Sequence, residues 1–292
     1  MKTVRLIANP VSGGKDKTRI VETVREVLQE ASFQVEVCWT ARPGHATQLA
    51  READASIVAA VGGDGTVSEV AQGLIGTGKV LGIIPCGSGD GLALHLGISR
   101  NPRKAALALA RGRVQTMDYG TVSGRPFFCT AGVGLDAIVA WKFARGSRRG
   151  IWQYISLAWK TWQDFHPETY TVDIDGQRIR TPAVFITVGN ANQWGNQARI
   201  TSLASAGDGL LDVTVVEPFR TVEIPRLAAK LMLGRAHTSR RAHMYRGKKI
   251  IISRPEPGPA HYDGDPCEMG TEIEVKVVPS ALQVLVPEGK RI

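Results

Sequence analysis

The chain has 292 residues, 43% of them hydrophobic, and 36 Lys and Arg against 27 Asp and Glu give a formal charge of +9. That length holds two ordinary domains with separate cores, and the excess of cations favours anionic partners (nucleotides, nucleic acid or acidic membrane surfaces) without choosing among them. Cys38, Cys86, Cys129 and Cys267 form no CxxC pair, which argues against a zinc or disulfide framework and for a reducing compartment, and no run approaches the ~20 apolar residues of a membrane span.

MKTVRLIANP carries a short apolar run broken by Arg5 and closed by Asn-Pro, the mark of a first strand and not of a secretory signal. KTRIVETVREVLQEA then places Ile20, Val24, Val27 and Leu28 at helical intervals, predicting an amphipathic helix. The alternation continues with FQVEVCWT (strand), ATQLAREA (helix), ASIVAAVG (buried strand), SEVAQGLIG (helix), VLGIIPC (strand) and NPRKAALALARG (helix). Such a series builds βαβ units on a parallel sheet, so residues 1–124 read as a doubly wound α/β domain. From about Arg125 the texture changes to short strand-like runs: PFFCTAGVG, TYTVDIDGQRI, PAVFITVGNA, LLDVTVVE, KKIIISR, TEIEVKVVP and ALQVLVPE. Two helical stretches, IWQYISLAWKTWQDF and TVEIPRLAAKLMLGR, interrupt them. Strands in succession with Asp-Gly turns predict an antiparallel sandwich or barrel over residues 125–292, the last strand being free to return to the first domain.

Three glycine-bearing turns stand at strand ends: NPVSGGK at 9–15, GGDGT at 62–66 and PCGSGDG at 85–91. In an open α/β sheet a ligand lies beyond the carboxyl ends of the strands, so one ligand can meet all three turns, and glycine lets backbone N–H groups approach phosphate oxygens. Gly62, Gly63, Gly65 and Thr66 are the candidate donors. The first turn is not a Walker loop, because Asn9 and Asp16 stand where a glycine and a Ser or Thr are required, and no GxGxxG follows the first strand. Asp64 would repel bare phosphate. It serves either as a ligand of Mg²⁺, directly or through water, or as a helix N-cap.

VGGDGTVSEV, preceded by NPVSGG and followed in order by GSGDGLALHLGI, TAGVGLDA, GDGLLDVTVV and HYDGDP, resembles the diacylglycerol kinase catalytic domain family, which includes bacterial diacylglycerol and related lipid kinases and sphingosine kinases. The resemblance implies an α/β nucleotide-binding domain and a β-sandwich lipid-substrate domain, with ATP and substrate between them. It implies transfer of the γ-phosphoryl group to a lipid hydroxyl with Mg²⁺. It places Asn9, Ser12 and Gly13 in the first nucleotide loop, Thr40 against ATP, and Gly63, Asp64, Gly65, Thr66 and Glu69 in the phosphate-binding turn and helix start, with Ser88 as a further nucleotide contact. It also implies a structural Mg²⁺ on the Asp208 carboxylate and the carbonyls of Ser205 and Leu210. The family's acidic DGE segment, which takes the acceptor's proton, is matched by Asp263-Gly264-Asp265. Asp265 is one methylene shorter than the usual Glu, which leaves the base open between Asp265 and Asp263, and a surface Asp-Gly hairpin is the plainer reading of the same residues. Asp90 stands where members commonly carry Asn. It weakens nucleotide binding, engages the metal, or caps a helix starting near Leu92.

Ile151, Ile155, Ala158, Trp162 and Phe165 share one helical face, which reads either as core or as an interfacial aromatic surface. From Arg226 to Lys249 there are eight Lys or Arg and no acidic residue, beside an apolar face of Ile224, Leu227, Leu231 and Met232. This is either a solvated basic surface or a contact with anionic membrane. The expectation is a cytoplasmic, peripherally membrane-associated lipid kinase whose partners are ATP, Mg²⁺ and a lipid, with no nucleic acid and with an antiparallel edge strand able to support a homodimer. The rivals are a soluble kinase of the NAD kinase type, which shares GGDGT, and a nucleotide-binding regulator of weak turnover, for which Asp90 and Asp265 speak.

Overall fold

The alternating signals of the first hundred residues become a parallel sheet. The computed structural model describes residues 2–12, 16–146 and 151–292, and the chain divides into two units, Met1–Asp118 with Pro279–Ile292, and Tyr119–Val278. In the first unit β1 (Lys2–Ala8), β2 (Phe33–Trp39), β3 (Ile57–Gly62) and β4 (Val80–Pro85) pair in the order β2-β1-β3-β4, every pair parallel. α1 (Lys17–Glu30), α2 (His45–Arg51) and α3 (Asp64–Leu74) connect them, and α4 (Gly91–His95) and α5 (Pro102–Arg111) follow. α1 starts where the Asp16 carboxylate accepts the N–H groups of Thr18 and Arg19, and it buries Val21, Val24, Val27 and Leu28. Val21 thus takes the inward place expected of Ile20. β3 and β4 are buried at every position, as strands of a parallel sheet covered on both faces must be.

The strands of the second unit are β5 (Arg113–Val122), β6 (Arg125–Phe127), β7 (Thr130–Gly134), β8 (Glu168–Ile174), β9 (Gln177–Ala183), β10 (Phe185–Gly189), β11 (Leu211–Val216), β12 (Ala242–Gly247), β13 (Lys249–Ser253), β14 (Gly258–Tyr262), β15 (Asp265–Met269) and β16 (Glu272–Val286). They pair antiparallel except at the end of β16, and the unit boundaries after Asp118 and Val278 fall inside β5 and β16. α6 (Leu135–Arg145) and α7 (Ile151–Asp164) follow β7, and α8 (Ile224–Met232) lies between β11 and β12. One sheet has the order β12-β11-β10-β7-β14-β15; the other contains β16, β13, β8 and β9, with β5 beside β16 and β6 beside β5. Val133, Ile186 and Val213 of the first face Val172, Ile250 and Ile273 of the second in a common core, which makes the unit a sandwich.

Periodicity predicted neither β5 nor α6. β5 is exposed at Arg113 and Val114 but buried from Met117 to Gly120, so it lacks a uniform alternation. α6 turns out of β7 at Gly134, whose φ is 100°, and among its residues only Ala137 and Val139 are buried, too narrow a stripe to read as a helical face. TEIEVKVVP and ALQVLVPE, expected as two strands, form the single β16, with Ser280 in the left-handed region at φ 51°. Its earlier residues pair with β13, whereas Gln283 and Val284 run parallel to Val80 and Leu81 of β4. The Ser280 N–H donates to the Asp118 carboxylate at 2.6 Å, and Asp118 is 1% exposed, so the bend is held by a hydrogen bond shielded from water. Asp118→Ala is therefore expected to cost ~1–3 kcal/mol, seen as a lower urea midpoint at unchanged slope.

Candidate functional site

β1, β2, β3 and β4 end within a residue or two of Asn9, Thr40, Gly63 and Gly87, so the first unit gathers its turns along one carboxyl edge of its sheet, the ligand-binding edge of such folds. The Thr40 N–H donates to the Ala8 carbonyl at 2.9 Å and the Asn9 N–H to the Val61 carbonyl at 3.2 Å. The Asn9 side chain accepts from the Val11 N–H and donates to the Thr66 hydroxyl, which joins the first turn to the start of α3. The Ser12 hydroxyl donates to the Asn9 carbonyl. Lys17, only 3% exposed, donates its ammonium group to the Ser12 carbonyl. Gly13 lies outside the described residues.

The second and third turns touch backbone to backbone. A Cβ on Gly87 would stand 2.7 Å from the Gly63 Cα, so Gly87 requires glycine, and a Cβ on Gly63 would make a tight 3.1 Å contact with the Gly87 Cα. Asp64 locks this contact: one carboxylate oxygen accepts the Asp90 N–H at 2.8 Å and the other the Gly91 N–H at 2.6 Å. Asp64 therefore does not cap its own helix, whose N-cap is Gly63, but binds the amides that open α4. Asp90 is in the left-handed region at φ 51° and does flank α4, yet its side chain does not cap it. Its Oδ1 accepts the Gly87 N–H at 2.8 Å, and its Oδ2 lies 3.1 Å from Arg100 Nε with the Asp90 side chain 1% exposed. Arg100 also donates to the carbonyls of Ser88 and Gly89, so one guanidinium braces the whole third turn. The Glu69 carboxylate accepts the N–H groups of Gly44 and Ala46 at the start of α2, which makes it a brace of the loop after Thr40. Ser88 and Gly65 are exposed, and a Cβ on Gly65 would meet nothing within 4 Å. They are open positions of the edge among the described residues.

In the second unit Asp263 and Gly264 form a tight turn between β14 and β15, closed by the pairing of Tyr262 with Asp265. The Asp263 carboxylate accepts the N–H groups of Phe128, Cys129 and Thr130 at 2.9, 2.7 and 3.2 Å, and its own N–H donates to the Thr130 carbonyl. Asp263 is thus a clamp on the lead into β7. Asp265 is exposed at the first position of β15. Two positions before the turn, His261 Nε2 lies 3.0 Å from Asp136 Oδ2, with side chains 6% and 8% exposed. Gly132 makes room for that pair, since a Cβ there would be 2.8 Å from both atoms. At the third acidic place, Asp208 accepts the Leu210 N–H and pairs with Arg246, which also pairs with Asp212 at 3.4 Å. Burial pushes the Asp212 carboxyl up to about 6 in spite of that cation.

Residues 3–122 match the family described as the diacylglycerol kinase catalytic domain, and residues 129–286 match the YegS C-terminal NAD kinase beta sandwich-like domain. A diacylglycerol kinase of Mycobacterium tuberculosis is 30% identical over 255 residues, which cover 83% of this chain and 80% of that protein. The chain belongs to the diacylglycerol kinase family. A diacylglycerol kinase of Bacillus subtilis is 25% identical over 91% of this chain and 90% of its own length. A solved structure of a diacylglycerol kinase from Bacillus anthracis str. Sterne shares the fold, with a TM-score of 0.80 over 99% of this chain and 98% of that one at 21% identity.

In this member of the diacylglycerol kinase family, sequence reasoning passed over Lys17 and Arg100, which contact the candidate turns of the first unit, and Asp136 and His261, which pair beside the Asp263 turn of the second. Each is recognisable only by the partner that folding brings to it: Arg100 is ten positions from Asp90, and His261 is 125 from Asp136. Asp90 is buried but Arg100 is 37% exposed, so Arg100→Leu, which leaves the Asp90 carboxylate uncompensated, is expected to cost ~1–3 kcal/mol. Most of that loss returns in the Arg100→Leu, Asp90→Asn double variant, a coupling that denaturant melts of the four-member cycle measure.

For a divalent ion the two acidic places differ. Each Asp64 oxygen accepts a single amide and keeps a lone pair, which suits a hard cation that takes one or two carboxylates together with phosphate. At Asp208 each oxygen likewise takes one donor, from Leu210 and from Arg246, and that guanidinium offsets charge that an ion would otherwise balance. Mg²⁺ without nucleotide is accordingly expected to shift the melting temperature of the wild-type protein by less than about 1 °C, whereas Arg246→Ala loses ~1–3 kcal/mol by leaving Asp208 and Asp212 unpaired. Thermal melts with Mg²⁺ or with EDTA read both effects.

Proposed function

We propose that this chain is an ATP- and Mg²⁺-dependent lipid kinase that transfers the γ-phosphoryl group to the hydroxyl of diacylglycerol or a sphingoid base. The observation that carries the reading is the Asp64 bridge, which fixes the GGDGT and GSGDG turns against each other and leaves Gly65 and Ser88 open at the edge of the sheet. Phosphoryl transfer depends on positioning and charge neutralisation more than on covalent chemistry by the protein. On this reading Asn9, Ser12, Thr40 and Ser88 position the nucleotide, Gly62, Gly63, Gly65 and Thr66 offer donors to its phosphates, and Glu69 holds the Thr40 loop in place. Mg²⁺, held by Asp64 together with the phosphates, would offset the triphosphate charge. Asp265 is the proton acceptor for the lipid hydroxyl. Asp263, with its carboxylate committed to three backbone amides, fixes the turn that carries it.

The likeness of residues 129–286 to an NAD kinase sandwich keeps NAD as a second acceptor to be tested. A regulator without turnover loses one of its two supports, because the Asp90 charge is balanced by Arg100. Labelled ATP offered with diacylglycerol, a sphingoid base and NAD decides between these readings: label is expected in a lipid, and label in NAD alone refutes the proposal. Asp265→Asn is expected to lower kcat by ~10²–10⁴ with little change in KM for ATP, while Asp265→Glu keeps activity. Full activity of Asp265→Asn would move the base elsewhere.

A further inference from the structure

α8 is a surface helix that is apolar on two sides. Its inward side chains, Leu227 and Leu231, pack on a satellite cluster that includes Phe185, Ile200 and Val216. No residue of the helix is fully buried. At 100° per residue the opposite side carries Pro225, Ala229 and Met232 and continues into Leu233, all exposed, with Val222 one turn before; Val222, Met232 and Leu233 are 77%, 54% and 66% exposed. The turn at 199–203 is tied to the end of α8 by the Arg199 N–H on the Leu231 carbonyl and by Ser202 against His237, and it adds Leu203, 58% exposed. At the other end, Trp162 of α7 stacks on Phe219 at 4.7 Å and donates to the Thr221 hydroxyl, which sets the exposed Ile155 and Trp159 of α7 in the same neighbourhood.

Single exposed apolar side chains need no explanation, but a contiguous set rimmed by polar groups marks a surface that something covers. The rim here is cationic. Between Arg220 and Arg241 there are six Lys or Arg and one acid, Glu223, and that carboxylate is held by the Arg220 N–H and the Arg241 guanidinium. Arg226, Arg235 and Arg240 are exposed beside the apolar side chains. An apolar strip flanked by arginine and lysine complements a leaflet of anionic lipid, which offers hydrocarbon and negative headgroups within a few ångströms of each other. No helix among the described residues is long and apolar enough to cross a membrane, so the contact lies in the interface.

We propose that the outer face of α8, with the 199–203 turn, is the element by which this protein docks on anionic membrane surfaces. This rests on the lipid-kinase reading above for its purpose, though not for its test. Full-length protein is sedimented with vesicles of phosphatidylcholine, with or without phosphatidylglycerol, and its activity is measured on diacylglycerol in those vesicles and in detergent micelles. Met232→Glu with Leu233→Glu is expected to weaken binding to the anionic vesicles at least about tenfold, with a matching loss of activity there and unchanged activity in micelles. Arg226→Gln with Lys230→Gln, which leaves the apolar strip intact, is expected to remove most of the dependence on phosphatidylglycerol. Wild-type binding that ignores phosphatidylglycerol overturns the proposal. So does undiminished binding of the Glu variant, or its conversion from dimer to monomer in light scattering, which would make a second copy of the chain the occupant. Vesicle binding as expected with no lipid phosphorylated supports the docking surface and refutes the kinase reading alone.

Discussion

The two hydrogen bonds that Asp64 accepts from the Asp90 and Gly91 amides are the constraint on which the first unit's site depends. Glycine turns are cheap to bend and costly to hold, because the freedom that lets them approach a phosphate is freedom they must lose on binding. A carboxylate across two turns removes that freedom in advance. The contact of Gly63 with Gly87, the left-handed Asp90 and the short α4 all follow from closing the turns around this one side chain. The negative charge in an otherwise anion-seeking turn is then a structural element as well as a suitable seat for a cation.

The same economy of charge runs through the molecule. Asp90 is matched by Arg100, Asp208 and Asp212 share Arg246, Asp136 meets His261, and Asp263 is surrounded by backbone amides. An ionised group removed from water without a partner is severely unfavourable, so each buried carboxylate had to be supplied with a donor by the fold. Asp265, unlike its neighbour Asp263, is exposed. That contrast separates the clamp from the candidate base in a motif where two aspartates stand one residue apart.

Much of the architecture was legible from residues alone. Strands β3 and β4 carry continuous apolar runs closed by glycine or proline, β1 a run broken by Arg5 and β2 an alternation, and α1 and α5 repeat apolar residues at helical intervals with Asp16 and Asn101 as caps. β5, α6 and the continuity of β16 were not legible: β5 changes burial along its length, α6 hides a narrow stripe, and the bend at Ser280 depends on a carboxylate 162 positions away. The aromatic face of α7 proved divided, with Trp162 and Phe165 packed on the satellite cluster and Ile155 exposed. A helical wheel cannot assign such a face, since it shows which side chains point together and not what lies opposite them.

By itself the sequence determined the class of fold, the three glycine turns and their order along the chain, and hence the family, because spacing and residue type are local properties. Tertiary structure decided what each polar residue does. Asp64 joins two turns, Glu69 braces a loop, Asp263 clamps a strand, and Arg246 pairs with Asp208. Those roles depend on which donor meets which acceptor within about 3 Å, and a chain of letters carries no such distances.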